Sequence, residues 1–134
     1  MLIVLDKQMQ PNGRRITLIP PTQVIGRDRK KCDIVLSDAD GYTLDTGEST
    51  GQNSVETVSR RHAQISYSKV NGIWTITDLG SRNGTTVNSM NTRKNEVHIM
   101  SGDTIGLGGV KLYFTLQNQG KSTMEADATE AIQT

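Results

Sequence analysis

Four successive residues, Ser59 to His62, carry a hydroxyl, two guanidiniums and an imidazole. They lie at the start of HAQISYS, an alternating run of apolar and polar residues that predicts a strand. Such a cluster suits three kinds of chemistry. A hydroxyl beside an imidazole can form a nucleophile, an imidazole can bind a metal, and hydroxyl and guanidinium groups can bind an anion.

Nucleophilic catalysis has weak support in the sequence. Ser59, His62 and Asp78 supply the residue types of a hydrolase triad. However, the sequence lacks the G-x-S-x-G motif and the alternation of strands and helices in which such a nucleophile lies. We therefore expect no catalytic residue and no enzyme, with His62 as a structural imidazole bonded to nearby backbone.

The residues able to bind a metal are few and widely spaced. His62, His98 and Cys32 lack the close ligand spacing of zinc sites. The acidic stretch DADGYTLDTGES carries its glycine at the fourth position, whereas a calcium-binding EF-hand loop needs it at the sixth. The sequence predicts no metal site and no cofactor.

Anion binding is favoured because three polar or cationic segments lie at the ends of predicted strands. Arg27 follows the segment QVIG, Ser59 precedes the segment that contains Ala63, and residues 81–85 follow the segment that ends at Leu79. Loops at one end of a β-sandwich can gather a guanidinium, a hydroxyl and an amide around one concavity.

The elements that must position these residues are strands. Apolar residues recur at every second position in short segments bounded by Gly, Asn, Asp or Pro, and helical periodicity is nearly absent. This pattern predicts an all-β fold, a sandwich of two mostly antiparallel sheets. The predicted strands are 2–5, 14–19, 23–26, 33–36, 62–68, 73–79, 85–88, 95–100, 103–108 and 111–117.

Composition and charge exclude several classes of partner. The 134 residues include 15 Lys and Arg against 14 Asp and Glu, so the net charge of +1 gives no global attraction to nucleic acid or to an anionic membrane. No apolar run approaches the roughly 18 residues of a membrane helix. The single cysteine, Cys32, and the absence of a signal segment predict a cytoplasmic location.

The chain divides into a domain and a tail. Residues 1–117 are predicted to form one domain, with residues 37–57 as a long, mobile, acidic loop rich in Ser, Thr and Gly. Residues 118–134 are small and polar, and we expect a flexible C-terminal tail or linker.

Six short motifs, in this order, resemble the forkhead-associated (FHA) domain family. They are G-R at 26–27, D-I-V-L at 33–36, S-R-R-H-A at 59–63, D-L-G-S-R-N-G-T at 78–85, V-N at 87–88 and G-D-T-I-x-L-G at 102–108. The resemblance spans residues 14–117. It implies an eleven-stranded β-sandwich, one strand more than the pattern shows, whose apical loops bind a phosphothreonine peptide.

The resemblance also implies roles for individual residues. Phosphopeptide contacts are expected from five residues: Arg27 and Ser59 on the phosphate, Asn83 on the peptide backbone, and Arg60 and Arg82 as further contacts. Arg60 departs from the family, which often has Asn at this position, so its contact is left open. Support of the site is expected from Gly26, His62 and Gly84, with His62 bracing the loop that bears Ser59.

The implied partner is a threonine-phosphorylated protein or peptide in a Ser/Thr protein kinase pathway, with no nucleic acid and no membrane. The tail adds a candidate ligand, because Thr129 lies in an acidic context and is followed three residues later by Ile132. Its phosphorylation would allow self-association. The alternative function is a scaffold of the same fold that binds a protein partner through a sheet face without phosphate.

Overall fold

The computed structural model describes residues 1–44, 52–93 and 95–116, which form eleven strands and two short 3₁₀ helices. The 3₁₀ helices are Asp38–Asp40 and Ser54–Thr57. The strands are β1 Leu2–Leu5, β2 Pro11–Ile16, β3 Thr22–Gly26, β4 Ile34–Val35, β5 Ala63–Ser68, β6 Ile73–Asp78, β7 Thr85–Val87, β8 Met90–Asn91, β9 Glu96–Ile99, β10 Thr104–Leu107 and β11 Val110–Phe114.

The strands form two sheets. A six-stranded sheet has the order β2-β1-β11-β10-β7-β8, and a five-stranded sheet has the order β4-β3-β5-β6-β9. All neighbours pair antiparallel except β3 and β4, which pair parallel. The predicted sandwich of about eleven strands in two mostly antiparallel sheets is therefore confirmed. Within the described ranges, no helix is both long enough and apolar enough to cross a membrane.

The core lies between the two sheets and follows the alternation in the sequence. In β5, for example, Ala63 and Ile65 are buried, while the intervening Gln64 is only half-buried. The same period of two applies in β11, where Leu112 and Phe114 are buried and Tyr113 is exposed. The apolar core between the sheets thus fixes which face of each strand points inward.

Six connections lie at one end of the sandwich, which we call the apical end. They are the loops β1–β2, β3–β4, β4–β5, β6–β7, β8–β9 and β10–β11. Backbone hydrogen bonds join these loops to one another: Gly108 N–H donates to Gly84 O at 3.1 Å, and Thr92 N–H donates to Thr85 O at 3.0 Å. The loops named in the sequence analysis therefore share one end.

The opposite, basal end holds both ends of the described chain. The Met1 amino group donates to Thr115 O at 2.9 Å, and β1 pairs with β11 from Leu2 opposite Phe114. Leu116 N–H donates to Ser101 Oγ, in the β9–β10 turn, at 3.0 Å.

The acidic segment 37–57 packs onto the domain at both of its ends. Asp40 is buried, and its carboxylate accepts from Arg14 Nη1 at 2.5 Å and from Ser37 N–H at 2.8 Å. At the other end, Ser54 and Val55 are buried. The described parts of the predicted loop thus include the two 3₁₀ helices, and residues 45–51 lie outside the described residues.

Candidate functional site

A cavity of about 470 Å³ opens at the apical end between the β3–β4, β4–β5 and β6–β7 loops. All five residues predicted to contact a phosphopeptide lie on its wall. The lining residues are Arg27, Glu56, Thr57, Val58, Ser59, Arg60, Arg61, Arg82 and Asn83.

Arg27 enters this cavity at the end of β3. Its backbone N–H donates to Ser59 O at 3.2 Å, and its side-chain Nε donates to Val58 O. These bonds fix the base of the side chain, and the two terminal Nη groups bond to no other described residue, so they can bind a ligand.

Gly26 allows β3 to approach the Ser59 loop closely. A Cβ atom at this position would collide with the carbonyl oxygen of Arg60 and lie 2.9 Å from Ser59 O. Any other residue would therefore push the two loops apart, and Arg27 would move away from Ser59.

The Ser59 hydroxyl is oriented by the neighbouring loop. Its Oγ accepts a hydrogen bond from Arg82 N–H at 2.9 Å, and it donates to no protein atom among the described residues. A hydroxyl has one proton to donate, so Ser59 can give that proton to an anion in the cavity.

His62 is buried and bridges the two loops that border the cavity. Its Nδ1 accepts from Ser59 N–H at 3.0 Å, so the ring proton is on Nε2, which donates to Gly84 O at 2.8 Å. The imidazole thus contacts the backbone of Ser59 and leaves its hydroxyl unbound. This geometry provides no base for a Ser59 nucleophile and fits the predicted bracing role.

Burial lowers the pKa of His62 below its ordinary value of 6.5, although the bond to Gly84 O and the charge of Asp78, 4.0 Å away, oppose this shift. As pH falls below 6.5, the unfolded chain binds the proton first, so the protein is expected to lose stability. The loss is at most about 1.4 kcal/mol per pH unit, the limit for one proton.

The pH dependence can be measured by urea unfolding between pH 7 and pH 5. His62→Asn, which has no titrating group at this position, should reduce the slope of stability against pH. His98→Asn, the same substitution at an exposed position on β9, is the matched control. If the slope of stability against pH in His62→Asn equals that of the wild type, His62 is not the source of the pH dependence.

Asp78 holds the β6–β7 loop in shape. Its carboxylate accepts from the hydroxyls of Ser81 and Thr85 at 2.5 and 2.7 Å and from the N–H groups of Gly80 and Ser81, both at 2.9 Å. Burial raises the pKa of Asp78, but these four hydrogen bonds outweigh it, and the pKa lies below its ordinary value. This role of Asp78 in shaping the loop was not predicted from the sequence.

Thr57 is a second residue that the sequence analysis missed. Its carbonyl oxygen accepts from Asn83 Nδ2 at 2.8 Å, and its hydroxyl accepts from Gly109 N–H at 2.6 Å. It therefore ties the β4–β5 loop to both the β6–β7 and β10–β11 loops. Within the described ranges, the Oδ1 and the second amide proton of Asn83 have no partner and can bind a ligand.

The cavity is strongly cationic. It holds the four arginines Arg27, Arg60, Arg61 and Arg82 against the single carboxylate of Glu56. Between described residues, the ion pairs within 4.0 Å are Arg14–Asp40 and His62–Asp78, so none of these four guanidiniums has a carboxylate partner there. The arrangement can bind an anion with at least two negative charges.

Comparisons with known proteins identify the family that the sequence motifs resemble. The family model of the FHA domain matches residues 23–108. The oxoglutarate dehydrogenase inhibitor of Corynebacterium diphtheriae is 36% identical over 105 residues, which cover 78% of this chain and 58% of that protein. A vacuolar protein sorting-associated protein 64 of Saccharomyces cerevisiae is 36% identical over 72 residues, which cover 54% of this chain and 12% of that protein.

Solved structures of FHA domains have the same fold as this chain. An FHA domain described as making phosphothreonine-dependent interactions is 26% identical, covers 87% of this chain and 95% of its own, and superposes with a TM-score of 0.63. The FhaA FHA domain, in complex with the intracellular domain of Rv3910, is 28% identical, covers 84% and 94% of the two chains, and gives a TM-score of 0.59. The match over most of the domain and the shared fold show that the chain belongs to the FHA domain family.

Proposed function

We propose that this chain is a non-catalytic, phosphothreonine-dependent peptide-binding module of a cytoplasmic Ser/Thr kinase pathway. The observation that carries the proposal is that four arginines without a carboxylate partner among the described residues, the Ser59 hydroxyl and the Asn83 amide converge on one cavity. A phosphothreonine carries a charge of about −1.5 to −2 at pH 7 and three acceptor oxygens, which these donors match.

In this proposal the phosphate binds between Arg27 and Ser59. The Arg27 Nη groups and the Ser59 hydroxyl each donate a charge-assisted hydrogen bond, worth on the order of 1.5–3 kcal/mol. Arg82 and Arg60 add positive charge on the same wall. Asn83 binds the peptide backbone next to the phosphothreonine, because its amide retains both a donor and an acceptor.

Relatives support the proposal at the level of the family. One similar FHA domain makes phosphothreonine-dependent interactions, and another was solved with a protein partner. Because the chain spans only 58% and 12% of the two curated relatives, inhibition of oxoglutarate dehydrogenase and protein sorting are statements about those proteins alone.

Titration calorimetry with matched peptides tests the function. A phosphothreonine peptide should bind, its unphosphorylated counterpart should not, and affinity should fall below pH about 6, where the phosphate takes up its second proton. Equal affinity for the two peptides would contradict the proposal and favour the alternative, binding of a partner through a sheet face.

The tail provides a further prediction, although Thr129 lies outside the described residues. The described chain ends at Leu116 at the basal end. The 12 residues between Leu116 and Thr129 would span about 20 Å even as a flexible linker. A six-residue strand alone covers about 20 Å of the distance to the apical end. Binding within one chain would need the linker to be more extended than its average, so we expect phosphorylated Thr129 to bind the cavity of a second chain.

Light scattering of the protein after phosphorylation by a Ser/Thr kinase measures this association. The phosphorylated chain should form dimers that an excess of free phosphopeptide dissociates. The matched control is Thr129→Ala treated with the same kinase. A phosphorylated chain that stays monomeric and binds free peptide with unchanged affinity would show that the tail is no ligand.

A further inference from the structure

Three Asn-Gly pairs occur in the chain, and one of them lies in the proposed binding site. The pairs are Asn12–Gly13, Asn71–Gly72 and Asn83–Gly84. An asparagine that is followed by glycine can lose its side-chain amide without an enzyme, because glycine has no side chain to hinder attack by its backbone nitrogen. The proposed function uses the amide of Asn83, so this reaction would alter the site directly.

The reaction is a deamidation that passes through a cyclic succinimide. The backbone nitrogen of the glycine loses its proton and bonds to Cγ of the asparagine. The Cγ–Nδ2 bond breaks, and ammonia leaves with that proton. Water then opens the ring at one of its two carbonyl carbons and gives aspartate or isoaspartate. The ring can close only when the glycine N–H is free and the asparagine side chain can turn toward it.

In the folded loop, two hydrogen bonds hold the atoms of Asn83–Gly84 that must react. Gly84 N–H donates to Ser81 Oγ at 2.9 Å. Asn83 Nδ2 donates to Thr57 O, on the neighbouring β4–β5 loop, at 2.8 Å. The Ser81 hydroxyl is itself fixed, because it donates to Asp78. The ring can therefore close only after both hydrogen bonds of the pair have broken.

Asn71–Gly72, in the basal β5–β6 turn, provides a comparison within the same chain. Gly72 N–H donates to Ser68 O at 2.7 Å. Asn71 bonds to Ser68 Oγ through its backbone N–H, at 3.3 Å, and its exposed side chain has no partner among the described residues. One hydrogen bond therefore opposes ring closure at this pair, against two at Asn83–Gly84.

We propose that Asn83–Gly84 is a modification site that the folded β6–β7 loop protects, and that its deamidation switches phosphopeptide binding off. The new carboxylate lies on the wall of a cavity with four arginines, where it offsets one positive charge and repels a phosphate. An isoaspartate product also lengthens the backbone of the loop. The loss of binding rests on the proposed function, whereas the protection of the pair does not.

Peptide mapping measures each pair separately. Trypsin cleaves after Lys and Arg, so Asn71 lies in the peptide 70–82 and Asn83 in the peptide 83–93. The protein is incubated at mildly alkaline pH, and mass spectrometry with fragmentation follows the deamidation of each asparagine. Asn83 should react about fivefold more slowly than Asn71, the effect of one additional hydrogen bond. In denaturing urea, where the hydrogen bonds are lost, the two rates should be similar.

Ser81→Ala tests the hydrogen bond to the glycine nitrogen. It should raise the deamidation rate of Asn83 by about two- to tenfold, and Ser81→Thr, which keeps a hydroxyl, should restore the slow rate. Ile99→Val is the control for a general loss of stability, because it changes the core at the basal end of β9 and should leave the rate unchanged. Thermal unfolding compares the stability of the three variants.

Calorimetry measures the consequence for binding, in an Asn71→Gln background so that the basal turn does not contribute. As Asn83 deamidates, the fraction of chains that bind a phosphothreonine peptide should fall with the unmodified fraction. Asn83→Asp should bind the peptide at least about tenfold more weakly than the wild type. Saturating phosphopeptide during the incubation should slow the reaction at Asn83.

The outcomes separate this inference from the proposed function. If native Asn83 reacts as fast as Asn71, or if Ser81→Ala leaves its rate unchanged or lowers it, the loop does not protect the pair and the inference is overturned. If deamidated chains bind the phosphopeptide as tightly as unmodified ones, the modification is no switch. If unmodified chains bind phosphorylated and unphosphorylated peptides equally, the proposed function fails, while the rates from peptide mapping still decide on protection.

Discussion

Arg27→Ala is expected to lower the affinity for a phosphothreonine peptide by about 10- to 100-fold, the loss of one or more charge-assisted hydrogen bonds. The side chain is exposed, and its bond to Val58 O is its one hydrogen bond to a described residue, so the fold should persist. Calorimetry with the same peptide measures the loss. Ser59→Ala should show a similar loss, because the phosphate loses the hydroxyl donor.

Arg27→Lys refines the test. A lysine keeps the charge but presents an ammonium in place of the two Nη groups, so an intermediate affinity is expected. Arg15→Ala, an exposed arginine on β2, is the matched control and should bind as the wild type does. Full affinity in Arg27→Ala would show that the anion binds elsewhere.

His62→Ala is expected to lower the free energy of unfolding by about 2–5 kcal/mol. It leaves Ser59 N–H and Gly84 O without their partner, and each unsatisfied buried group costs about 1–3 kcal/mol. The same variant should also weaken phosphopeptide binding, because the β4–β5 and β6–β7 loops lose their bridge. Chemical denaturation and calorimetry measure the two effects.

Two further variants show whether the effect of His62→Ala comes from the lost hydrogen bonds between the loops or from the mere removal of an imidazole ring. His62→Asn should be intermediate, since its Oδ1 can accept from Ser59 N–H as Nδ1 does. His98→Ala, at an exposed position, should change stability by less than about 0.5 kcal/mol. If His62→Ala is as stable as the wild type, the imidazole has no bracing role.

Much of the fold could be predicted from the sequence, because half-buried strands alternate apolar and polar residues. The strand that escaped prediction, β8, is only Met90–Asn91, two exposed residues with no alternation to detect. Strand β2 begins at Pro11, earlier than the predicted residue 14, because its first residues are exposed and polar yet pair with Leu5 across a bulge.

The site was predictable only in part. The motifs supplied five of the nine residues that line the cavity, since these five are adjacent to strand ends. Thr57 was missed because its role depends on loops that meet only in the folded chain. The contact of the acidic segment with β2 was hidden for the same reason, because Asp40 is buried against Arg14, 26 residues earlier in the chain.

The adjacency of Met1 and Thr115 at the basal end has a practical consequence for how the domain can be joined to other proteins. Ends that lie side by side let a unit be inserted into a surface loop of a host protein, or repeated in series, without stretching either junction. Because the cavity lies at the apical end, attaching the domain to a surface at its basal end places the cavity on the side away from that surface. An engineered sensor or affinity resin built on this domain would therefore present its binding face to solution whichever end is immobilised.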